Sequence, residues 1–440
     1  MEIFVPGRVC LLGEHTDWAV LHRACHQWPA ETMRDGHCLA YGTNCGLRAR
    51  IGWNEIAATT PSQTGKNENG DEPQLRLHFR SVVLHPPQSL HFSTPPNDTP
   101  CAGAAKYSMS YETQPDHSIV SVLDIPLLEA DGSVSGVLEG LARGGTFFSY
   151  VAGTALEVLL KYSTEIARAV RNREAEGKCS TFHINNYSTD LPVGKGLSSS
   201  AAVCVLVARS LTQGILGVSL PPSEEMELAY LGERRTPSQC GRMDQCVAHG
   251  SAPVSLIFGD NGTVHCEKIV LPKGAVFHFV VADMNRSKGT QRILADLNEC
   301  FKGPNNNSGG SSSKDPAIAA AAREFLGATS STFVAAAMEA LRLGSPEELG
   351  AVFTRCQVAF RAALGPACPT ELTSPRLYEL LGSEKIKPLV FGGKGVGSQG
   401  DGTIQFVCKS AEDQATLVEH LQWDEGCHAF AFELKGESGV

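Results

Sequence analysis

The chain has 440 residues, of which 42% are apolar, and this is enough for two domains with ordinary buried cores. Its formal net charge of -10 argues against a nucleic-acid-binding protein, because such proteins carry a basic surface. The 15 cysteines form no C-x-x-C pair, and neither a signal peptide nor an apolar run long enough to cross a membrane is evident. We therefore expect reduced thiols and a cytoplasmic protein that binds neither nucleic acid nor a membrane.

The first half of the chain is predicted to contain strands, an insert and three helices. The segment EIFVPGRVCLL predicts two short strands joined by a turn at Pro6 and Gly7. Residues 54–115 are rich in Pro, Ser, Thr, Asn and Gly and predict an irregular insert, within which LRLHFRSVVL alternates like a strand. A long helix is predicted for FFSYVAGTALEVLLKYSTEIARAV and a strand for STFHINNYS. Two helices follow, AAVCVLVARSLTQGIL and PPSEEMELAYLGERR.

The second half is predicted to form a separate unit. It begins with the apolar strand AVFHFVVADM, and residues 303–316 read as a low-complexity surface insert. Two helices come next, the second with Ser345 as its cap and Pro346 at its first position. The chain then predicts a strand, a glycine loop, a strand, a helix and a final strand. We predict one domain over residues 1–255 and another over residues 256–440.

The segment LPVGKGLSSSAA, residues 191–202, joins a predicted strand to a predicted helix. Gly194 and Gly196 can adopt backbone angles closed to other residues, so successive N–H groups can point into one concavity. The helix that begins near Ser198 adds unpaired N–H groups, the positive end of its dipole and hydroxyls. These features indicate a phosphate site, although such a segment in isolation is more often a glycine turn capped by serine. The chain has no G-x-x-x-x-G-K-[ST] sequence, so this is not a P-loop.

A second segment, PGRVCLLGEHTDW, places charged residues beside an apolar strand. Arg8, Glu14, His15 and Asp17 fall within ten positions. Surface ion pairs would give the same pattern, but unpaired charges next to a buried strand are costly. The cluster therefore favours a site. Trp18 either packs against a ligand ring or belongs to the core.

Two acids stand out in a third segment, GERRTPSQCGRMDQC. Glu233 lies at the end of a predicted helix, and Asp244 follows eleven positions later. Alone, each acid is most simply a solvated carboxylate or a helix cap. Further along, residues 395–400 spell GxGxxG, but a dinucleotide site needs a helix directly afterwards. The alternating segment TIQFVC follows instead, so a hairpin is predicted there.

Together and in this order, these segments resemble the motifs of the GHMP kinases, the superfamily of galactokinase, homoserine kinase, mevalonate kinase and phosphomevalonate kinase. PGRVCLLGEHTDW is similar to the first motif in its galactokinase form. LPVGKGLSSSAA is similar to the second, with Lys195 where galactokinases usually carry glycine, and CGRMDQ is similar to the segment with the catalytic aspartate. VFGGKGVGSQGDG stands where a third, glycine-rich motif is expected, with Gly392, Gly393 and Gly395, although its spelling departs from the common one.

The resemblance implies a fold and a set of residue roles. The fold is α+β and two-lobed, with a left-handed β-α-β unit and the phosphate loop in the N-terminal lobe, a ferredoxin-like C-terminal lobe, and the site in the cleft between the lobes. MgATP is the implied phosphoryl donor. Asp244 would lie near the attacking hydroxyl with Arg8 as its electrostatic partner, and Ser200 and Glu233 would hold Mg²⁺. The implied ATP-binding residues are Gly194, Lys195, Gly196, Leu197, Ser198, Ser199 and Ser200.

The implied acceptor site consists of Glu14, His15, Asp17 and Asp244. A sugar offers adjacent hydroxyl donors to Asp17, whereas Asp17 would repel the carboxylate of mevalonate. We therefore expect a galactokinase-like kinase of a sugar, acting on the anomeric hydroxyl of galactose or a related monosaccharide. The residues after TDW depart from the galactokinase pattern, so arabinose, glucuronate, fucose or a heptose stay open. The alternatives are a mevalonate-type kinase and an inactive galactokinase-like sugar sensor; the chain keeps the Arg8 and Asp244 that a sensor is expected to lose.

Overall fold

The structure, a computed structural model, describes most but not all of the chain. The described residues are 1–26, 35–53, 74–83, 107–116, 118–178, 180–191, 197–238, 240–286, 288–302 and 314–436. Three predicted segments lie wholly or partly outside them: residues 192–196 of the phosphate loop, residues 303–313 of the low-complexity insert, and residues 54–73 and 84–106 of the earlier insert.

The described residues form twelve strands, which are numbered here in chain order. They are β1 (Glu2–Leu12), β2 (Gly36–Gly52), β3 (Leu75–Val83), β4 (Ser108–Thr113), β5 (Ile119–Leu128), β6 (Thr181–Thr189), β7 (Pro253–Phe258), β8 (Val264–Lys268), β9 (Val276–Asp283), β10 (Val390–Gly395), β11 (Thr403–Cys408) and β12 (His428–Lys435).

Thirteen α-helices lie in the same described ranges. They are α1 (Thr16–Ala19), α2 (Leu21–His26), α3 (Val137–Arg143), α4 (Phe147–Ala175), α5 (Ser199–Leu211), α6 (Pro222–Arg234), α7 (Thr290–Glu299), α8 (Pro316–Glu324), α9 (Ser330–Leu343), α10 (Pro346–Leu364), α11 (Pro369–Leu372), α12 (Pro375–Gly382) and α13 (Ala411–Trp423). A 3₁₀ helix, Asp244–His249, follows α6.

The first compact unit, called unit 1, consists of residues 1–7 and 44–250. Its strands are ordered β4-β5-β3-β6, and residues 47–52 of β2 pair with β6. All these pairs are antiparallel except β3 with β6, which run parallel. Leu75, Leu77 and Phe79 alternate along β3 and are fully buried, as expected for a strand with one face in a core. Helices α4, α5 and α6 pack against one another.

The second compact unit, called unit 2, consists of residues 8–43 and 251–440. Its four-stranded antiparallel sheet has the order β10-β11-β9-β12. With helices between β9 and β10 and between β11 and β12, this is the ferredoxin-like arrangement. Val280, Phe406, Leu380 and Leu417 belong to its core, which joins the sheet to α12 and α13. Separately, residues 36–41 of β2 pair with β7, and β7 pairs with β8.

The observed division differs from the one that the sequence predicts. The chain passes from unit 1 to unit 2 at residue 250, close to the predicted boundary at residue 255. However, residues 8–43 pack with the C-terminal half of the chain rather than with the N-terminal half. A local reading of the sequence cannot detect this, because the contacts that decide it join residues nearly 400 positions apart.

The predicted turn at Pro6 and Gly7 is wrong, because β1 runs unbroken through both residues. A glycine is needed at position 7 because a side chain would not fit there, not because the chain turns. A Cβ atom at Gly7 would lie 2.1 Å from Leu191 Cδ1 and 3.0 Å from Leu197 O. Gly7 thus permits a close approach by the segment that follows β6.

The other main predictions of secondary structure are confirmed. The predicted helices appear as α4, α5, α6, α8 and α10, and the predicted strands as β3, β6, β9, β10, β11 and β12. Ser345 caps α10 by accepting a hydrogen bond from Glu348 N, and Pro346 is its first residue. One described segment, Ser199–Leu216, is long and apolar enough to span a membrane, but 67% of it is buried, which is typical of a core helix.

Candidate functional site

The structure describes the helical end of the predicted phosphate loop, in unit 1. Ser198 is the N-cap of α5 and has a left-handed φ of 58°, which is uncommon for a residue with a side chain and typical of constrained functional positions. Its buried Oγ has no hydrogen-bond partner among the described residues. Leu197 packs into the core, and Ser199 and Ser200 begin the helix. An unpaired hydroxyl beside a helix N-terminus suits an anion; Gly194, Lys195 and Gly196 lie outside the described residues.

Glu233, near the end of α6, is a buried carboxylate with only 1% of its surface exposed. It accepts hydrogen bonds from Gln245 Nε2 at 2.8 Å and from Ser238 Oγ at 3.4 Å, and the Ser200 hydroxyl also bonds to it. Burial raises the pKa of Glu233 to about 7, and the negative charge of Asp244 adds to the rise. The hydrogen bonds lower the pKa, but they do not offset the burial.

The surroundings of Glu233 fit a hard cation. Its hydrogen-bond partners are all neutral, and Asp244, the first residue of the 3₁₀ helix, brings a second carboxylate close enough to affect its pKa. Mg²⁺ prefers such oxygen donors and is usually bound through one or two carboxylates plus substrate phosphates. No group of three or more His, Cys, Asp and Glu side chains in the described ranges is arranged to hold a metal by itself. Ser200 and Glu233, the predicted metal ligands, are therefore neighbours in unit 1.

We expect Glu233→Gln to stabilise the ligand-free protein above pH 7. The folded-state pKa of about 7 exceeds the ordinary value of 4.5, so stability is lost as the buried carboxylate ionises between these pH values, and the loss is complete above pH 7. A shift of this size corresponds to about 3 kcal/mol. Urea unfolding without Mg²⁺ should show a more stable variant at pH 8 and equal stabilities below pH 4.5.

A control on the same helix is Glu225, which is equally buried but forms an ion pair with Arg209 at 2.6 Å. Glu225→Gln should destabilise the protein at pH 8, because Arg209 then loses its charged partner. A Glu233→Gln variant that is destabilised to the same extent would show that the Glu233 carboxylate is not held at a raised pKa.

In unit 2, Glu14 forms an ion pair that the sequence analysis did not identify. Its carboxylate accepts a hydrogen bond from Lys394 Nζ. Glu14 is 6% exposed and Lys394 is fully buried. Lys394 also donates to Gly395 O at 2.7 Å and lies 5.9 Å from the centre of the Phe353 ring. Burial raises the pKa of Glu14, whereas the charges of Lys394 and Arg8 lower it. One oxygen of Glu14 is therefore committed to an internal partner.

His15 is held as a neutral hydrogen-bond donor. Its Nδ1 accepts a hydrogen bond from Trp18 Nε1 at 3.2 Å, so the ring proton must be on Nε2. The pKa of His15 is lowered to about 4, mainly by burial and also by the positive charges of Lys288 and Lys394. Trp18 also packs edge-on against Phe301, with ring centres 5.6 Å apart. Trp18 thus positions His15 as part of the packed interior of unit 2.

Asp17 is a third buried polar residue, with 9% of its surface exposed. It lies in α1, close enough to Cys38 that its charge helps burial to raise the pKa of that thiol. The turn before α1 requires Gly13, which has a φ of 94° and whose Cβ would lie 2.1 Å from His37 O. The turn places Glu14, His15 and Asp17 in the interior of unit 2, where Arg8 is also buried.

The glycines of the third motif permit close packing within unit 2. A Cβ at Gly392 would lie 2.0 Å from Gly350 O of α10, one at Gly393 would lie 2.5 Å from the Phe406 ring, and one at Gly395 would lie 2.3 Å from Gln399 Oε1. Strands β10 and β11 form the predicted hairpin around this sequence, so no helix follows the GxGxxG residues. A role for these glycines in ATP binding stays a prediction.

Two buried residues of this hairpin were missed by sequence reasoning. Lys394 and Gln405 are opposite each other in the β10–β11 register, and both are fully buried. Gln405 Nε2 donates to Cys10 O at 2.9 Å, which attaches the hairpin to β1. The available signal was a lysine and a glutamine on strands that are otherwise apolar or glycine-rich, because such positions carry a polar residue only where it has a partner.

Comparisons with known proteins agree with this architecture. Residues 161–251 match the family model for the GHMP kinases N terminal domain. No curated protein sequence matches the chain. Among solved structures, Lactococcus lactis galactokinase with galactose has a TM-score of 0.56 at 14% identity, covering 100% of this chain and 94% of that one.

Two further solved structures are similar over almost their whole length. L. major mevalonate kinase with R-mevalonate has a TM-score of 0.53 at 12% identity, covering 100% of this chain and 97% of that one. Streptococcus pneumoniae phosphomevalonate kinase with phosphomevalonate and AMPPNP has a TM-score of 0.53 at 13% identity, covering 99% and 100%. These TM-scores show a shared fold over nearly the whole chain. Residues 161–251 in addition match the N-terminal domain of the GHMP kinases by sequence.

Proposed function

We propose that the chain is an ATP-dependent kinase that phosphorylates a sugar hydroxyl, the anomeric hydroxyl of galactose or of a related monosaccharide. The observation that carries the proposal is the burial of Glu14, His15 and Asp17 in unit 2. Burying polar groups costs free energy unless they are hydrogen-bonded. Among the described residues the buried Nε2 atom of His15 has no hydrogen-bond partner, so a sugar hydroxyl would accept its proton. The Asp17 carboxylate would accept hydrogen bonds from adjacent sugar hydroxyls.

The donor side of the proposal uses residues of unit 1. The N-terminus of α5, with Ser198 and Ser199, would bind phosphate oxygens of ATP through N–H groups and hydroxyls. Ser200 and Glu233 would hold Mg²⁺, which offsets the charge of those phosphates when it is bound. Gly194, Lys195 and Gly196 would complete the phosphate loop.

Two residues are assigned to the chemical step. Asp244 would accept the proton of the acceptor hydroxyl as that oxygen attacks the terminal phosphorus of ATP, whose bond to the bridging oxygen breaks so that ADP leaves. Arg8, which is 4% exposed, would offset the charge that develops on the transferring phosphoryl group. The chain retains both residues, which supports an active kinase over an inactive sugar sensor.

The direct test is an ATP-consumption screen with the purified protein. The panel contains galactose, arabinose, glucuronate, fucose, a heptose and mevalonate, and the readout is ADP release that depends on both acceptor and Mg²⁺. We expect at least one sugar to be phosphorylated. Release of ADP with mevalonate alone would contradict the sugar assignment, and no release with any acceptor would contradict the kinase assignment.

Asp17→Ala should raise the acceptor KM strongly and change the KM for ATP little. Losing a charged hydrogen-bond acceptor from a sugar hydroxyl should cost about 1.5–3 kcal/mol, which is a roughly 10- to 100-fold weaker interaction. For a mevalonate-type acceptor the sign reverses, because removing Asp17 removes a repulsion. Steady-state kinetics of both proteins with the best sugar and with mevalonate distinguish the two, and unchanged sugar kinetics would rule out a role for Asp17 in binding.

A further inference from the structure

Lys288 is a partly buried lysine of unit 2 that has neither a hydrogen bond nor an ion pair with any described residue. It lies between β9 and α7, and its side chain lies flat on Gly402. A Cβ at Gly402 would be 2.6 Å from Lys288 Cδ and 2.9 Å from its Nζ. The glycine therefore leaves room for an extended lysine. Lysines that are withdrawn from water normally form an ion pair. Asp283 and Glu14 raise the pKa of Lys288, but neither forms an ion pair with it, so the ammonium group is open to an anionic ligand.

The charged groups around Lys288 do not provide a dedicated partner. The pKa of Lys288 is lowered to about 8, mainly by burial and also by the charge of Arg8, whereas the charges of Asp283 on β9 and of Glu14 raise it. Glu14 is already bound to Lys394. Glu371, on α11, accepts its hydrogen bond from Gly289 N at 2.8 Å rather than from the lysine.

One loop joins Lys288 to the buried residues of the proposed acceptor site. Residues 396–402 connect β10 to β11, and the backbone of Ser398 in this loop lies close enough to His15 to raise its pKa. Ser398 Oγ lies 3.2 Å from Thr290 Oγ1, two residues after Lys288, and a Cβ at Gly400 would lie 3.6 Å from Lys288 Cβ. Lys288 also influences the charge state of His15. The lysine and the histidine therefore border the same region of unit 2.

We propose that Lys288 binds a negatively charged group of the phosphoryl acceptor, so that the substrate is an anionic sugar. The inference rests on the proposed sugar-kinase function and narrows its substrate class. The hydroxyls of the sugar would be bound by Asp17 and His15, and its anionic group would be the missing partner of Lys288. A carboxylate and a phosphate present the same charged oxygens to an ammonium group, so a sugar acid and a sugar phosphate are tested side by side.

The experiment measures binding by calorimetry without ATP, so that it does not depend on catalysis. Galactose, galacturonate, glucuronate, galactose 6-phosphate and mevalonate are titrated into the wild type and Lys288→Met. Methionine keeps an unbranched side chain over Gly402 and removes only the charge. We expect one anionic sugar to bind more tightly than galactose, and Lys288→Met to weaken that sugar by roughly 10- to 100-fold without affecting galactose.

A matched control removes a positive charge from the same segment. Arg292, on α7, is 63% exposed in its side chain, so Arg292→Met should leave every affinity unchanged. The wild type provides a second measurement that does not depend on a variant. Because the pKa of Lys288 is about 8, the affinity of the wild type for the anionic sugar should fall as the pH rises from 7 to 9.5. Its affinity for galactose should stay level over this range. Lys288→Met should show no fall for either sugar.

Several outcomes would overturn the inference. They are equal affinity of the wild type for galactose and the anionic sugars, unchanged affinity in Lys288→Met, and tightest binding of mevalonate. In a separate titration with ATP, weaker binding by Lys288→Met than by the wild type would overturn the inference and assign the lysine to the donor. If an anionic sugar binds through Lys288 but no ADP is released with it, the inference stands and the kinase function fails. If only neutral sugars are phosphorylated, the kinase function stands and the inference fails.

Discussion

Asp244→Asn is expected to lower the turnover number by about 10²- to 10⁴-fold, the usual effect of losing a general base. Asparagine keeps the size of the side chain but cannot accept the hydroxyl proton. Asp244 opens the 3₁₀ helix after α6, and its charge acts on the neighbouring Glu233. Since the N-terminus of α5 is unchanged, ATP binding should persist. The measurement is ADP release at saturating substrates, together with calorimetric titration of a non-hydrolysable ATP analogue.

An exposed aspartate of unit 1 is the control for this variant. Asp131 lies in a turn before α3, where it bonds to Ser133, and Asp131→Asn should turn over like the wild type. Normal turnover by Asp244→Asn would rule out a catalytic role for the carboxylate. If Asp244→Asn loses both turnover and nucleotide binding, Asp244 belongs to the donor site instead.

Lys394→Met is expected to destabilise the protein by about 3–5 kcal/mol, because breaking a buried ion pair leaves the other charge without compensation. The charge left behind is that of Glu14, whose pKa burial already raises. The readout is the free energy of unfolding from urea titration. Since this variant could fail to fold, the double variant Glu14→Gln, Lys394→Met is measured beside it.

The double variant should recover a large part of the stability, because neutral side chains at both positions leave no buried charge. The single variants Glu14→Gln and Lys394→Met, together with the double variant, form a cycle that gives the coupling between the side chains. Additive losses in that cycle would show that Glu14 and Lys394 do not stabilise each other. Wild-type stability of Lys394→Met would show the same.

The sequence predicts those features that depend on neighbouring residues. Periodicity and capping suffice for α4 and for α10 with Ser345 and Pro346, and alternation suffices for β9 and β11. The exposed strand β4, with its polar sequence, carries no such signal. The prediction of a turn at Gly7 is wrong, because a glycine is needed there to leave room for the side chain of Leu191, and no local pattern reveals that contact.

The same limit applies to the candidate site. Motif resemblance selects Glu14, His15 and Asp17, and all three are buried in unit 2. It does not select Lys394 or Lys288, because their significance depends on which distant residues they approach. The glutamate partner of Lys394 is 380 positions away. Similarly, nothing in the local sequence indicates that Trp18 fixes the tautomer of His15; that follows only from the distance between the two rings' nitrogens.

The discontinuous make-up of unit 2 limits when residues 8–43 can pack during synthesis. Unit 1 contains no residue beyond 250, whereas residues 8–43 belong to unit 2, which extends to the C-terminal hairpin and beyond it. The hydrogen bond that Cys10 O accepts from Gln405 cannot form until Gln405, 395 residues later, has been synthesised. At about 5–20 residues per second, the ribosome needs roughly 10–30 s to go from residue 250 to that hairpin. During that time the segment with Glu14, His15 and Asp17 lacks the β10–β11 hairpin, so we expect nascent chains that stop before β11 not to form the proposed acceptor site.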